Sequence, residues 1–198
     1  MMKNRVFISI SGKAGSGKDT FADLLEVALI NKIKFKREAF ANKLKLVCSA
    51  LTSLPIDTFF YRDKKNMILP DYGITIRELL QKIGDELRKV DNGIWINALS
   101  SSLRKYKGNY IITDARYLNE IEFIKSLGGI TIKIERPFHT DDSITNELSK
   151  HPSENEFEEY DSFNFTVIND KDLKNLKIMA EKVADEIWNK VGNLALEK

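Results

Sequence analysis

Cysteine and histidine are scarce in this 198-residue chain, which has one cysteine, Cys48, and two histidines. A single thiol excludes an internal disulfide framework and a metal site built from cysteines. Apolar runs are also short, and none approaches the roughly 18 to 20 residues that a membrane span needs. We therefore expect a reduced cytoplasmic protein without a membrane segment, in which Cys48 is a core residue.

The net charge is likewise small, at +2 with 30% charged residues, and it gives no reason to expect nucleic-acid binding. The charge is unevenly spread, because residues 31–38 are basic and residues 141–161 are rich in carboxylates. Taken alone, each stretch is most simply a solvated face. The length fits one domain with room for an inserted subdomain.

The hydrophobic pattern predicts strands that alternate with helices. Strands are predicted at about 5–11, 35–40, 109–114, 128–136 and 163–170, and helices at about 19–30, 42–51, 75–87, 95–103, 118–127 and 173–191. The first apolar run is expected to be a strand and not a signal peptide, and residues 54–74 are expected to be irregular. Gly84 inside its helix indicates close packing or close approach of a ligand. The alternation implies a parallel five-stranded sheet with helices on both faces and ligands at the carboxyl ends of its strands.

The stretch GKAGSGKDT, from Gly12 to Thr20, lies between the first predicted strand and the first helix. It follows the phosphate-loop pattern G-x-x-x-x-G-K-[ST] except at its last position. Glycines let backbone N–H groups approach phosphate oxygens, the helix start adds a positive dipole, and Lys18 brings a mobile ammonium group. We therefore expect this loop to bind the phosphates of a nucleotide.

Asp19 stands where the pattern has a hydroxyl residue. A carboxylate is a stronger oxygen ligand for Mg²⁺ than a hydroxyl, directly or through water, and its charge is favoured at a helix start. Thr20 offers a hydroxyl one residue later, but a rotation of about 100° along the helix makes it a poor replacement. We expect a working loop with an unusual metal ligand, not a decayed copy of one.

A compact kinase for a small acceptor is the expected activity. The guanine-reading N/T-K-x-D pattern is absent from VIND at 167–170, and the chain has no room for a second ATPase lobe. A kinase that holds two polyanions needs arginines from separate segments. Arg116 and Arg136 follow predicted strands, while Arg77 and Arg88 lie on the long helix of an expected acceptor-binding insertion. Each alone is more simply a surface residue, but their joint placement favours binding.

Six stretches together resemble the deoxynucleoside monophosphate kinases of T-even phages and their relatives. They are GKAGSGKDT at 12–20, FANKLK at 40–45, TIRELLQKIGDELRKVDNGIW at 75–95, TDARYLNEIEFIKSLGG at 113–129, IERP at 134–137 and HPSENE at 151–156. The G-K-D-T ending and the pattern D-x-R-x-x-N-E both belong to that family. The resemblance covers about residues 7–185, is weakest between 53 and 73, and points to a phage or prophage setting in a host cytoplasm.

The resemblance implies a three-layer P-loop kinase similar in architecture to adenylate kinase. The core is expected at about 1–40, 107–137 and 162–198, with a helical acceptor-binding region at about 41–106 and a short lid at about 138–161. It also implies ATP- and Mg²⁺-dependent phosphorylation of deoxynucleoside 5′-monophosphates to diphosphates, with small nucleotides as partners. We expect a monomer or a homodimer.

Residue roles follow from the same resemblance. The ATP phosphates and Mg²⁺ are expected at Gly12, Lys13, Ala14, Gly15, Ser16, Gly17, Lys18, Asp19 and Thr20. The acceptor is expected at Lys43, Arg77, Gln81, Arg88, Trp95, Asp114, Arg116, Asn119 and Glu120. The catalytic residues are expected to be Lys18, Arg116 and Arg136, and the metal ligands Asp19 and Asp114.

Bland alternatives stay open for several of these residues. Gln81 reads the acceptor base or is merely exposed on its helix. Asp114 holds Mg²⁺ through water or caps the following helix, and Asn119 and Glu120 belong to the site or to a solvated helix face. His151 has no second histidine at metal-ligand spacing, so no zinc site is expected.

Phosphoryl transfer to a phosphate needs no strong general base, because the acceptor is already ionised. Catalysis is expected to consist of positioning and charge neutralisation, with the lid excluding water. Two other functions stay open: a kinase of another phosphate acceptor, such as phosphomevalonate, and a nucleotide-binding regulatory module that phosphorylates nothing.

Overall fold

The computed structural model describes residues 5–61, 63–137 and 160–196. The chain divides into two compact units. Met1–Glu38 and Tyr106–Lys198 form one, which we call the sheet unit, and Ala39–Lys105 forms the other, which we call the helical unit. In the part of the chain that is described, no helix is long and apolar enough to cross a membrane.

The sheet unit contains a parallel sheet of five strands in the order β2-β5-β1-β6-β7. The strands in chain order are β1 Phe7–Ser11, β2 Phe35–Glu38, β3 Ile68–Leu69, β4 Ile74–Thr75, β5 Asn109–Ile112, β6 Ile130–Glu135 and β7 Phe165–Ile168. In the central strand, Ser9 pairs with Ile112 on one side and with Thr131 on the other. The strand order reverses at β1, and the ligand crevice of such sheets opens at that point.

Helices of the sheet unit cover both faces of this sheet, as the sequence predicts. In chain order, the helices of the whole protein are α1 Lys18–Leu29, α2 Ala41–Thr52, α3 Ile76–Val90, α4 Ile94–Lys105, α5 Leu118–Ser126 and α6 Leu173–Leu196. Of these, α1, α5 and α6 belong to the sheet unit. One face of β1 carries Ile8 and Ile10, which pack with residues of α1 and α6. The other face carries Phe7, which lies near Ile124 of α5 where the two meet at Gly129. The unit is therefore a three-layer α/β structure.

The core between β1, α1 and α6 anchors the two elements that flank the loop at residues 12–17. Ile10, Phe21 and Leu25 are all fully buried there, together with Ile187 of α6. Burial of a side chain of this size contributes about 1.5 to 3 kcal/mol relative to its exposure. Because the strand before the loop and the helix after it are both anchored in this way, the ends of the loop are fixed.

The helical unit contains α2, α3 and α4, and its segment 54–74 is more regular than the sequence predicts. That segment has short 3₁₀ helices at Ile56–Phe59 and Asp63–Asn66 and an antiparallel pairing of β3 with β4. Gly73, with φ of +65°, closes the turn between these strands. At the start of α3, the Glu78 N–H donates to the Thr75 hydroxyl and the Thr75 N–H donates to the Glu78 carboxylate. This capping box fixes where the helix begins and lowers the pKa of Glu78.

Gly84 is explained by close packing within the helical unit. A Cβ at this position would lie 3.3 Å from Leu44 Cδ2 of α2, and the Trp95 indole N–H of α4 donates to the Gly84 carbonyl over 3.1 Å. Cys48 is fully buried in α2, which confirms it as a core residue, and burial raises the pKa of its thiol to about 11.

Several element boundaries differ from the predicted ones by two or more residues. β2 ends at Glu38 and not at Phe40, because Phe40 already has helical φ and ψ before α2. β5 ends at Ile112, two residues before Asp114, because Ile112 pairs with the last residue of β2 and loses its outer neighbour there. α6 runs on to Leu196 rather than stopping near Val191.

Candidate active site

The stretch from Gly12 to Gly17 forms a tight loop at the carboxyl end of β1. Gly15 and Gly17 have φ of +76° and +88°, a region that suits glycine. At Gly12 the limit is space, because a Cβ there would lie 2.7 Å from the Ile134 carbonyl of β6 and 2.6 Å from the Ser16 hydroxyl. The glycine spacing therefore answers two different needs, a left-handed backbone and close strand packing.

The residues that follow the loop open α1. Gly17 is the N-cap of that helix, and no side chain caps it. Lys18 is only 7% exposed, whereas Asp19 in the first turn is exposed, as is Thr20. The start of a helix presents N–H groups and the positive end of its dipole, which suits phosphate oxygens. Asp19 adds a carboxylate in this first turn.

Arg136 lies one residue beyond β6, next to the phosphate loop. Its Nη1 donates to the Gly15 carbonyl over 3.4 Å, a long bond made at the surface. Arg136 as a whole is exposed. Two of the predicted catalytic residues, Lys18 and Arg136, are therefore brought to the same loop.

The motif D-x-R-x-x-N-E spans the loop after β5 and the start of α5. Asp114 and Arg116 are half-buried in the loop. The N-cap residue of α5 is Tyr117 and not Asp114. Because β5 runs parallel to β1 and beside it, the loop leaves the sheet at the same edge as the phosphate loop.

Glu120 is 1% exposed, which excludes the alternative of a solvated helix face for this residue. Its Oε2 accepts the backbone N–H of Arg116 at 2.8 Å and that of Tyr117 at 3.3 Å. The carboxylate therefore holds the loop that carries Arg116, and this role could not be seen from residue type alone. Asn119 beside it is half-buried.

The predicted acceptor residues lie on the helices of the helical unit. Arg77, Gln81 and Arg88 stand on α3 at spacings of four and seven residues, which keeps them on one side of a helix. All three are half-buried, so Gln81 is not an exposed surface residue. The Arg77 Nε is buried and has no hydrogen-bond partner within the described segments. A buried guanidinium nitrogen left in this way suits an anionic ligand.

Two further acceptor residues differ in their surroundings. Lys43 is exposed on α2. Trp95 is 5% exposed, and its indole N–H is taken by the Gly84 carbonyl. Any contact of Trp95 with a ligand would therefore use its ring and not its N–H.

Asn169 is a functional candidate that is missing from the predicted site. It follows β7, is 8% exposed, and donates from Nδ2 to the Ser16 carbonyl over 2.9 Å. Its position just past a strand end is the one sequence signal for it, because the contact joins residues 153 positions apart. The predicted lid at 138–161 lies outside the described residues except for its last two.

Comparison with known proteins identifies related chains. A family model described as Deoxynucleotide monophosphate kinase matches residues 57–180. A relative from Acanthamoeba polyphaga mimivirus, named "Putative deoxynucleotide monophosphate kinase", is 32% identical over 186 residues, which cover 85% of this chain and 91% of the relative.

Two solved structures superpose loosely on the chain. Shikimate kinase from Aquifex aeolicus has a TM-score of 0.40 and 20% identity, covering 97% of this chain and 99% of its own. Shikimate kinase from Acinetobacter baumannii, in complex with shikimate, has a TM-score of 0.45 and 16% identity, covering 98% and 96%. The family therefore rests on the family model and the mimivirus relative.

Proposed function

The chain belongs to the deoxynucleotide monophosphate kinase family, and we propose that it transfers the γ-phosphoryl group of ATP to a deoxynucleoside 5′-monophosphate, with Mg²⁺ at the donor phosphates. The observation that carries this proposal is the phosphate loop. Two left-handed glycines, a buried Lys18 and the uncapped start of α1 all occur in one short stretch. Such an arrangement suits a nucleotide polyphosphate.

On the donor side, we assign the ATP phosphates to residues 12–20. The backbone N–H groups of the loop and of the first turn of α1 would donate to phosphate oxygens, and Lys18 would neutralise charge between the last two phosphates. Arg136 lies against the loop at Gly15, so a change of rotamer lets its guanidinium reach the transferred group.

Mg²⁺ fits the carboxylates that this chain offers. Asp19 is exposed in the first turn of α1, and Asp114 is half-buried in the loop after β5. Both provide the hard oxygen ligands that the ion prefers, and either would hold it directly or through water. The ion that these residues would hold would offset part of the charge on the donor phosphates.

On the acceptor side, the proposal assigns the monophosphate to the arginines of α3, with Arg77 as its first partner. The buried Nε of Arg77 supports this assignment, because a carboxylate or phosphate oxygen would satisfy it. Gln81 has an amide that can both donate to and accept from a base edge. Lys43, Arg88 and Trp95 complete the acceptor set proposed for the helical unit.

The transfer itself is a displacement at phosphorus. An ionised oxygen of the acceptor phosphate forms a bond to the γ-phosphorus while the bond from that atom to the β–γ bridging oxygen breaks, which leaves ADP and a deoxynucleoside diphosphate. No proton has to be removed from the nucleophile. Lys18, Arg116 and Arg136 would stabilise the charge on the transferred group. Glu120 acts through Arg116, since it holds that residue's backbone.

Product formation from ATP and Mg²⁺ tests the proposal. The acceptors are the four common deoxynucleoside monophosphates, AMP, and phosphomevalonate as a phosphate acceptor that is not a nucleotide. ADP release stimulated by a deoxynucleoside monophosphate is the expected result. Stimulation by phosphomevalonate alone would indicate a different acceptor, and ATP binding without stimulated release would indicate a regulatory module.

A matched pair of lysine variants ties the activity to the loop. Lys18→Ala should abolish measurable transfer, whereas Lys174→Ala, which removes an exposed lysine of α6, should leave turnover within about twofold of the native rate. Equal turnover in both variants contradicts the assignment of the donor site. Action in the cytoplasm is part of the same proposal.

A further inference from the structure

Asn169 connects the far edge of the sheet to the phosphate loop. Its backbone N–H donates to the Glu135 carbonyl at the end of β6 over 2.7 Å. Its side-chain Nδ2 donates to the Ser16 carbonyl over 2.9 Å, and this second bond is buried. The backbone of Asn169 is therefore held by the sheet, while its carboxamide is hydrogen-bonded to the phosphate loop.

The space at Gly17 is occupied by this same amide. A Cβ on Gly17 would lie 2.5 Å from Asn169 Nδ2, closer than real Cβ atoms approach. Gly17 also has φ of +88°. Glycine at position 17 thus serves two purposes: it allows the left-handed turn into α1, and it leaves the space that the Asn169 side chain occupies.

The bond to Ser16 controls the direction of a phosphate-binding group. The peptide between Ser16 and Gly17 is planar and trans, since no described peptide bond is cis, so its C=O and N–H point in opposite directions. When Asn169 holds the carbonyl, the Gly17 N–H is turned to the other side. If this peptide rotated, a carbonyl oxygen would replace an N–H on that side, and it would repel an anion.

We propose that Asn169 is a positioning residue for the donor nucleotide: its carboxamide holds the Ser16–Gly17 peptide in the orientation that offers the Gly17 N–H to a nucleotide phosphate. This inference rests on the proposed binding of ATP at residues 12–20. Only a donor works at this place. An aspartate of the same shape would set a carboxylate oxygen against the Ser16 carbonyl and add negative charge under the phosphates.

Variants at two asparagines test the inference. Asn169→Asp keeps the shape and removes the donor, and Asn169→Ser removes the amide without adding charge. Asn189→Asp makes the same charge change at an exposed position of α6 and is the control. The measurements are the Kd of Mg·ATP by calorimetry, the KM of ATP, the KM of the deoxynucleoside monophosphate, and the Tm without ligand.

The Kd and KM for ATP should rise about tenfold or more in both Asn169 variants, the cost of one lost buried hydrogen bond. The KM of the acceptor should stay within about twofold, and Asn189→Asp should match the native protein. A brace that merely supports the fold would lower Tm in the Asn169 variants and leave the Kd of the folded protein unchanged.

Unchanged ATP affinity in folded Asn169→Asp and Asn169→Ser overturns the inference. Failure of both variants to fold also overturns it, because Asn169 would then be a requirement of the fold. The proposed function fails in a different way, namely when the native protein itself binds no ATP.

Discussion

Removal of the Glu120 carboxylate should slow the reaction by releasing the loop that carries Arg116. Glu120→Ala removes the acceptor of two half-buried backbone N–H groups, those of Arg116 and Tyr117, at 2.8 and 3.3 Å. A fully buried unsatisfied donor costs about 1 to 3 kcal/mol, and water reaches these two in part, so the free energy of unfolding should fall by roughly 1 to 3 kcal/mol in total. A displacement of Arg116 by about 1 Å should lower kcat about 10²-fold.

A double-mutant cycle separates this effect from simple destabilisation. Glu120→Ala, Arg116→Ala and the double variant are assayed with radiolabelled ATP at a temperature where circular dichroism shows each to be folded. If Glu120 acts through Arg116, its removal in the Arg116→Ala protein should change kcat by less than about threefold, a coupling of at least about 2 kcal/mol. Glu181→Ala, at an exposed site on α6, is the control. Full 10²-fold loss in both backgrounds would refute the reasoning and indicate that Glu120 contacts a substrate itself.

Three other changes have distinct expected outcomes. Asp19→Ala should lower turnover at least about tenfold at limiting Mg²⁺, with partial recovery at high Mg²⁺. Its free energy of unfolding should fall by less than about 1 kcal/mol, because the side chain is exposed. Equal loss of turnover at all Mg²⁺ concentrations contradicts the role of Asp19 as a metal ligand. Arg77→Ala should raise the KM of the acceptor about 10- to 100-fold and leave the Kd of ATP unchanged. Burial raises the pKa of the Cys48 thiol to about 11, so its contribution to the free energy of unfolding is fully present below about pH 9. That contribution is lost between about pH 9 and 11, because the thiol of the unfolded chain ionises first. Cys48→Ala should therefore flatten the decline of Tm over that interval.

The order of strands and helices could be predicted because it depends on local pattern. Four of the five sheet strands are short segments rich in isoleucine, valine or aromatic residues, and the helices repeat their apolar residues every three or four positions. The strand β2, with the sequence FKRE, is the exception. The boundaries were less predictable where a neighbour decides them. The strand β5 ends at Ile112 because its pairing with β2 ends there. The local sequence NYIITDAR does not predict this boundary, because it depends on the neighbouring strand.

The site could be predicted where one residue type has one chemistry, and not where a partner decides the role. Glycines and Lys18 identify the phosphate loop by themselves. Glu120 is a carboxylate in a motif, but its burial and its two backbone donors come from the loop folding over it. The role of Asn169 is even harder to predict from the sequence, because its hydrogen-bond partner, Ser16, lies near the other end of the chain.

The geometry around Asp19 bears on whether this loop works or has decayed. Gly12, Gly15 and Gly17 all stand where another residue would clash or be strained, so the loop keeps the shape that the phosphate-loop pattern predicts. The Asn169 amide still fills the space beside Gly17. Asp19 is exposed in the first turn of α1, where a helix start favours its negative charge. Its carboxylate is also the hard oxygen ligand that a divalent cation beside bound phosphates prefers, so we propose that the loop works with Asp19 as a metal ligand.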